Sequence, residues 1–374
     1  MPADGRMRLA FIADPNSIHT RRWVGFFARR GHSVHLLEGY GVEVRDGLPE
    51  EVAVHRYRAF GPWRIPIVSS LQGRAPLRRL LGDLRPDVLH GHYITRYGWQ
   101  TRLSGFHPYV ITPWGSDVFV TPRSSLRARL WGRATLRGAD LVTVLTEQMR
   151  DAVTRMGARP RRIATVRFGV DTRRFSPGPA DPELVERLGL GGRPLLFSPR
   201  AARPLYRHDT VLDAVAGLDD AVVVMSGRNA DPDYLAEVRA RAARAGVGER
   251  LRIIDDIPEP ELLALYRTAD VVVSVPESDG FPSTVLEAMA CGAPVVASDV
   301  PAVRSVLERF APELIVPAGD ASALAAALRR ALALGGDGRA ALAERMRRYA
   351  GEEADQETNM LKMERLYRRL AGGA

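Results

Sequence analysis

Residues 276–299 read PESDGFPSTVLEAMACGAPVVASD and follow the apolar run VVVSV at 271–275. The apolar run is typical of a buried parallel strand. Asp279 then lies in a loop, Ser283 is a favourable N-cap, and the apolar residues after it recur at helical spacing. Gly292 ends this predicted helix, and PVVAS after it predicts another strand. Strand, loop, helix and strand in this order are typical of a parallel α/β sheet.

Two carboxylates stand out in this segment. Asp279 lies on the loop beside the predicted start of the helix, and Glu287 lies about one turn into it. Free N–H groups at a helix start bind phosphate oxygens, and a carboxylate can accept hydrogen bonds from two adjacent hydroxyls. The arrangement suits a sugar nucleotide. The alternative is an ordinary loop of a Rossmann-type sheet with a capping acid.

The segment resembles the signature of the retaining glycosyltransferases of the GT-B fold, family 4. In that signature an acidic residue, seven intervening residues and Glu are followed by Ala-Met-Ala-x-Gly-x-Pro-Val. Asp279 and Glu287 fit the spacing, although the family usually has Glu at the first position. Glu277 lies two residues too early but competes for the same role. The resemblance implies that Asp279 holds the transferred sugar and Glu287 the ribose.

The resemblance extends to a phosphate-binding arginine. Arg200 follows an apolar run at the position of the family arginine, but Leu205 stands where the family has lysine. A second cation on the diphosphate would therefore be Arg203 or Arg207, unless these two are only solvated loop charges. The residues that the resemblance predicts for donor binding are Glu287, Arg200, Arg203, Arg207, Gly280, Phe281, Ser283 and Thr284.

A second motif predicts the acceptor side. Trp114-Gly-Ser-Asp117 resembles the family segment His-Gly-x-Asp, with Trp in place of His. His19 and His92 also follow predicted strands, so they are expected near the same sheet edge. The alternative for each is a structural hydrogen-bonding role. The predicted acceptor-side residues are His19, His92, Tyr93, Trp114 and Asp117, and the predicted catalytic residues are Asp279, Arg200 and Asp117.

Strand and helix patterns alternate in both halves of the chain, with a Pro- and Gly-rich break at 171–180. This predicts an α/β protein of two Rossmann-like, doubly wound parallel-sheet domains that face a central cleft, the GT-B architecture. The predicted domains are 1–177 on the acceptor side and 178–345 on the donor side. Residues 346–374 are predicted to form a C-terminal helix that returns to the first domain, as the resemblance implies.

Charge is unevenly distributed along the chain, whose formal net charge is +9. Residues 1–177 carry 29 arginines and 14 acidic residues, whereas residues 178–374 carry 24 basic and 30 acidic ones. The basic half predicts an anionic acceptor or peripheral contact with an anionic membrane. The alternative is a solvated basic surface over a core that includes the aromatic residues. The residues concerned are Arg21, Arg22, Arg29 and Arg30 around Trp23, Phe26 and Phe27, then Arg74, Arg78 and Arg79, and then Arg123, Arg127, Arg129 and Arg133.

The sequence gives little support to other functional classes of protein. No cluster has the spacing of a metal site, no Gly-x-Gly-x-x-Gly or Walker motif is present, and no nucleic-acid-binding motif is recognised. No apolar run has the length of a signal peptide core at the start or of a membrane span elsewhere, which predicts a cytoplasmic protein, with membrane contact only on the cytoplasmic face.

We therefore predict a retaining, hexosyltransferase-type glycosyltransferase that needs neither cofactor nor metal. It would move a sugar from a nucleoside-diphosphate sugar to a small molecule, glycan or lipid. Cationic side chains would neutralise the leaving diphosphate, as the resemblance implies. The alternatives are a nucleotide-sugar epimerase or hydrolase of the same fold, and a non-catalytic two-lobed sugar-binding protein.

Overall fold

The structure, a computed structural model, describes residues 5–45, 47–58, 73–119 and 125–372. Arg123 of the basic group above lies outside the described residues. The strands within the described ranges are β1 Arg8–Ile12, β2 Ser33–Glu38, β3 Val52–Arg56, β4 Val88–His92, β5 Tyr109–Thr112, β6 Leu141–Val144, β7 Ile163–Thr165, β8 Leu195–Ala201, β9 Val222–Ser226, β10 Leu251–Ile254, β11 Val271–Ser274, β12 Val295–Ser298 and β13 Ile315–Val316.

The helices alternate with these strands. They are α1 Ile18–Arg29, α2 Arg74–Leu84, α3 Tyr97–Ser104, α4 Ser116–Phe119, α5 Leu126–Gly138, α6 Glu147–Arg155, α7 Pro182–Arg187, α8 His208–Ala216, α9 Pro232–Arg244, α10 Glu259–Thr268, α11 Ser283–Cys291, α12 Pro301–Leu307, α13 Ala321–Leu332, α14 Gly336–Glu353 and α15 Gln356–Gly372. No helix among the described residues is long and apolar enough to cross a membrane.

Two parallel sheets organise the chain, as the sequence predicts. The first sheet has the order β3-β2-β1-β4-β5-β6-β7, and the second has the order β10-β9-β8-β11-β12-β13. All strand pairs are parallel. The runs rich in Val, Leu and Ile are buried because helices cover both faces of such sheets. Strand order reverses between β1 and β4 in one sheet and between β8 and β11 in the other, and ligands of doubly wound sheets bind at such points.

Contacts between residues divide the chain into two units. One comprises the residues up to Arg167 together with those from Thr358 onward, and the other comprises Phe168–Glu357. The division after Arg167 precedes the predicted boundary after residue 177, so the segment rich in Pro and Gly belongs to the second unit. The predicted returning segment began at residue 346, but α14 and the residues up to Glu357 belong to the second unit.

The start of α11 differs from the prediction. Ser283 is the first helical residue rather than the N-cap, and Pro282 occupies the cap position without a side-chain hydrogen bond. The helix ends as predicted at Gly292, whose φ of 78° is left-handed and suits glycine. No side chain therefore caps the first N–H groups of α11.

Candidate functional site

The centre of the second sheet places several of the predicted donor residues together. β8 and β11 are neighbours; Arg200 lies at the carboxyl end of β8, and Asp279 lies in the loop that follows β11. Nη1 of Arg200 lies 3.3 Å from Oδ2 of Asp279, and both side chains are largely buried, at 13% and 8% exposure. Residues far apart in sequence thus form a buried ion pair where the strand order reverses.

Several neighbours hold this ion pair in place. The guanidinium of Arg200 lies 4.2 Å from the centre of the Tyr206 ring, a cation–π contact. Nη1 of Arg200 lies 3.5 Å from Oγ1 of Thr284, and the N–H of Phe281 donates to Oδ1 of Asp279 at 3.2 Å. Burial raises the pKa of Asp279, while Arg200 and the N–H groups of the loop oppose the rise. The site therefore holds a desolvated carboxylate and a cation in fixed positions.

Glu287 lies in the second turn of α11 and is 8% exposed. The hydroxyl of Tyr266 donates a hydrogen bond to Oε2 of Glu287 at 2.8 Å. Tyr266 is fully buried on α10 and was not predicted from the sequence. The predicted ribose-binding carboxylate thus has a fixed orientation.

The remaining predicted donor residues line the loop and the start of α11. Gly280 is partly buried and Phe281 is buried. Oγ1 of Thr284 lies 3.4 Å from the hydroxyl of Ser274, and the N–H of Ser283 donates to the carbonyl of Phe281 at 2.9 Å. These contacts hold the loop against the first turn of α11.

The two candidates for the second cation differ in their partners. Arg207 donates to both carboxylate oxygens of Asp209, at distances from 3.0 to 3.3 Å, and to Glu277 at 2.9 Å. Hydrogen bonds from both acids raise the pKa of Arg207. Arg203 is exposed, and its Nε donates to the carbonyl of Asn229 at 2.8 Å. Arg207 is therefore engaged with two acids, whereas the contact of Arg203 with Asn229 uses the Nε–H alone.

In the first unit, three of the predicted acceptor-side rings come together. The His19 ring stacks on the Trp114 ring with centroids 4.7 Å apart, and the His92 ring meets the same indole at 5.4 Å. His92 is 1% exposed, and burial lowers its pKa to about 3, so it is neutral at physiological pH. Tyr93 follows β4 with a φ of 65°, an uncommon backbone conformation for a residue other than glycine.

Both carboxylate oxygens of Asp117 accept hydrogen bonds from backbone N–H groups. Its Oδ2 accepts from the N–H of Ile94 at 2.8 Å, and its Oδ1 accepts from the N–H groups of Trp114 and Gly115 at 3.0 Å each. The side chain is 1% exposed, and burial raises its pKa to about 6 against the effect of these N–H groups. Asp117 therefore ties together the loops after β4 and β5.

A buried polar chain near this edge was not predicted. The indole N–H of Trp23 donates to the hydroxyl of Tyr367 at 3.2 Å, and that hydroxyl contacts Nδ1 of His90. Nε2 of His90 lies 2.7 Å from the hydroxyl of Thr112. Tyr367 comes from α15, so the sequence neighbourhood of His90 gave no signal for this contact.

The described residues contain no group of three or more His, Cys, Asp or Glu side chains arranged to hold a metal ion. Asp231 is the N-cap of α9: its Oδ1 accepts from the N–H groups of Asp233 and Tyr234 at 3.1 Å each.

Two family models match the chain, one over each of its two sheets. Residues 181–353 match the family described as "Glycosyl transferases group 1", and residues 8–146 match "Glycosyl transferase 4-like". A D-inositol 3-phosphate glycosyltransferase from Geodermatophilus obscurus is 32% identical over 287 residues, or 71% of this chain and 62% of that protein. One from Salinispora arenicola is 30% identical over 307 residues, or 74% of this chain and 67% of that protein. Matches to several such relatives, including the first, span less than two thirds of the relative's length.

Solved structures share the fold at lower identity. Sucrose-phosphate synthase from Thermosynechococcus elongatus has a TM-score of 0.79 at 22% identity, covering 99% of this chain and 100% of that one. The Anabaena protein HepE, in complex with UDP and glucose, has a TM-score of 0.80 at 16% identity, covering 98% of this chain and 100% of that one.

Proposed function

Because the chain belongs to the family 4 glycosyltransferases of the GT-B fold, we propose that it transfers a sugar from a nucleoside-diphosphate sugar to an acceptor with retention of configuration. The observation that carries the proposal is the buried pair of Arg200 and Asp279 at the point where strand order reverses in the second sheet, with Glu287 on the adjoining helix. Two carboxylates that accept from hydroxyls and a cation that faces phosphate together fit the chemistry of a sugar nucleotide.

Each group has a distinct role in the proposal. Asp279 accepts hydrogen bonds from hydroxyls of the transferred sugar, and Glu287 accepts from the ribose diol. Arg200 faces the diphosphate and neutralises the charge that develops as the glycosidic bond breaks. The first N–H groups of α11 add a positive dipole end to the same place. Tyr206 and Thr284 hold Arg200 in position before the donor arrives.

Arg203 is the better candidate for a second cation. Recruiting Arg207 would break its ion pairs with Asp209 and Glu277. Arg203 is exposed shortly after β8 and can turn towards a phosphate at lower cost. Charge neutralisation by arginine means that transfer should persist in the presence of EDTA.

Retention follows in the proposal from departure and attack on the same face of the sugar. The leaving phosphate oxygen takes the proton of the acceptor hydroxyl as that hydroxyl attacks the anomeric carbon. No dedicated base is then required, and His92, whose pKa burial lowers to about 3, would be a weak one. Asp117 orders the Trp114 loop, where the stacked rings of His19 and Trp114 offer a surface for an acceptor.

The donor and acceptor can be found by a panel experiment. UDP, GDP, TDP and ADP sugars are screened for thermal stabilisation of the protein, because a ligand that binds only the folded state raises Tm. The similar proteins suggest UDP-glucose and phosphorylated polyols as the first compounds to test. We expect one donor to stabilise the wild type and Arg200→Ala to lose turnover by roughly 10²–10³-fold.

Arg241→Ala is the matched control, since Arg241 pairs with Asp213 on the surface of the same unit. It should keep donor binding and turnover. Product analysis by NMR then separates the alternatives: an epimerase or hydrolase acts without an acceptor, and a binding protein gives no product. Full activity of Arg200→Ala would contradict the proposal.

A second proposal concerns an anionic partner of the first unit. Trp23 and Phe27 are fully buried and cannot face a membrane, whereas Phe26 is partly buried. The helix α5 instead exposes Leu126 and Leu130, at 72% and 57%. The α5 surface, defined as Leu126, Arg127, Arg129, Leu130 and Arg133, combines exposed leucines with arginines.

No acidic side chain of the described residues forms an ion pair with the arginines of the α5 surface. Arg129 and Arg133 also line a pocket with Arg155. An anionic membrane surface matches the charge and the exposed leucines together, whereas an anionic acceptor matches the charge alone.

A further inference from the structure

The ribose-binding carboxylate of the proposed site has a partner that the proposed function does not use. Tyr266 lies on α10, is fully buried, and donates its hydroxyl hydrogen bond to Oε2 of Glu287 at 2.8 Å. Glu287 is itself 8% exposed. A buried carboxylate needs hydrogen-bond donors, and this one receives its donor from a side chain 21 residues earlier.

Two aromatic rings fix the position of Tyr266. Its ring packs edge-to-face on Phe197 of β8 at 5.3 Å and on Phe175 at 5.8 Å. Phe197 lies on the strand whose end carries Arg200. A phenol ring confined on two sides has little freedom to turn its hydroxyl away from Glu287.

The direction of the hydrogen bond is also determined. Burial, reinforced by the neighbouring charge of Glu287, raises the pKa of Tyr266 well above its ordinary value. The phenol therefore keeps its proton and acts as donor, while Glu287 accepts.

We propose that Tyr266 is a positioning residue for the donor ribose: its hydroxyl fixes the carboxylate plane of Glu287 so that Glu287 accepts from both ribose hydroxyls. This inference rests on the proposed function. A glutamate has three side-chain torsions, and a diol requires a defined direction for its acceptor. Ordering this side chain before the ligand binds removes part of the entropic cost of binding.

The test is the variant Tyr266→Phe, which keeps the ring and its packing and removes only the hydroxyl. Calorimetry measures the affinity for the preferred nucleoside diphosphate of the panel and for its 2′,3′-dideoxy analogue. We expect affinity for the ribonucleotide to fall by about 3- to 10-fold, the usual scale for one hydrogen bond. Affinity for the analogue should not change, because it lacks both hydroxyls.

Glu287→Gln and the double variant complete the experiment. Glu287→Gln should also lower the affinity for the ribonucleotide and not that for the analogue. Adding Tyr266→Phe should cause little further loss of affinity, since the two residues act through one contact. Tyr109→Phe is the control: its buried hydroxyl donates to the carbonyl of Thr135 in the first unit at 3.0 Å. It removes a comparable hydrogen bond and should leave both affinities unchanged.

The outcomes separate the inference from the proposed function. If Glu287→Gln lowers the affinity for the ribonucleotide and Tyr266→Phe does not, the positioning role of Tyr266 is wrong while the ribose role of Glu287 stands. If Tyr266→Phe lowers the affinities for ribonucleotide and analogue equally, its effect is structural and the inference is overturned. If Glu287→Gln changes neither affinity, or no nucleoside diphosphate binds, the donor site itself is misassigned and the inference falls with it.

Discussion

Asp279 and Glu277 occupy one loop but have different surroundings. Asp279 is 8% exposed and faces Arg200, whereas Glu277 is 55% exposed and pairs with Arg207. We expect Asp279→Asn to abolish transfer, because it removes the negative charge and replaces one buried acceptor oxygen beside the proposed sugar position with an NH₂ donor. Glu277→Gln should reduce turnover only mildly. Steady-state kinetics with the preferred donor measures both, and equal losses would show that the sugar contacts a different part of the loop.

Asp117 allows a prediction about pH. Burial raises its pKa from 3.8 to about 6 in the folded protein, so folding favours the protonated carboxyl. A group with a raised folded pKa contributes stability below its unfolded pKa and loses it as pH rises through the folded value. The stability of the wild type relative to Asp117→Asn should therefore fall by roughly 2–3 kcal/mol from about pH 4 to about pH 7.

Urea denaturation of both proteins over this pH range measures that difference. The asparagine variant should also lose stability at every pH, because its NH₂ group must face a backbone N–H that now donates to Asp117. A stability difference that grows with pH would show that the three N–H groups outweigh burial and that the pKa is lowered instead.

Sequence spacing was sufficient to locate Asp279, Glu287 and Arg200, whose roles stay predictions. It could not identify the groups that hold them. Tyr266 reaches Glu287 from another helix, and the ring of Tyr206 lies against the guanidinium of Arg200. Such contacts depend on how loops meet at the end of a sheet, and neither periodicity nor residue type carries that information.

At the scale of elements, the apolar runs at 271–275 and 294–298 predicted β11 and β12 to within one residue at each end. Strands at the sheet edges carry a weaker sequence pattern. β3 has only one buried residue, Val52, and β13 has two residues. An edge strand is half exposed and lacks the continuous apolar run of a central strand, so its pattern resembles that of a loop.

The packing of α3 beside β4 leads to a prediction. A Cβ atom at Gly98 would lie 2.2 Å from the carbonyl oxygen of Tyr93 and 3.2 Å from Cγ2 of Thr135. Gly98→Ala must therefore push α3 away from the backbone of Tyr93. We expect a loss of stability of about 1–3 kcal/mol, the usual cost of overpacking. Chemical denaturation measures it.

Gly82 in α2 is the matched control. A Cβ atom there meets nothing within 4 Å. Gly82→Ala should stabilise the protein by about 0.5–1 kcal/mol, because alanine loses less backbone entropy in a helix. Destabilisation of the same size in both variants would mean that the clash with Tyr93 is not the reason why Gly98→Ala loses stability.

At the scale of the whole molecule, composition separated a basic first half from a mildly acidic second half, and the pattern of strands and helices indicated two sheets. The pattern did not show which aromatic residues face solvent. Trp23, Phe26 and Phe27 recur at helical spacing, which fits a core-facing stripe as well as a membrane-facing one. The structure resolves this for Trp23 and Phe27, which are both buried.

The α5 surface carries the last prediction. The wild type should bind vesicles containing an anionic lipid at low salt and release them as salt rises, because surface charge attraction is screened within a Debye length. Replacing Arg127, Arg129 and Arg133 by Ser should weaken binding by about 10²-fold, at about 1 kcal/mol for each basic residue near the surface.

The control replaces Arg74, Arg78 and Arg79, which α2 exposes, by Ser and so changes the net charge equally. It should retain most of the vesicle binding, because the exposed Leu126 and Leu130 lie on α5 and not on α2. Co-sedimentation at low and high salt compares the three proteins. Equal losses in both triple variants would indicate attraction by net charge alone, and no binding of the wild type at low salt would leave a soluble acceptor as the partner of this surface.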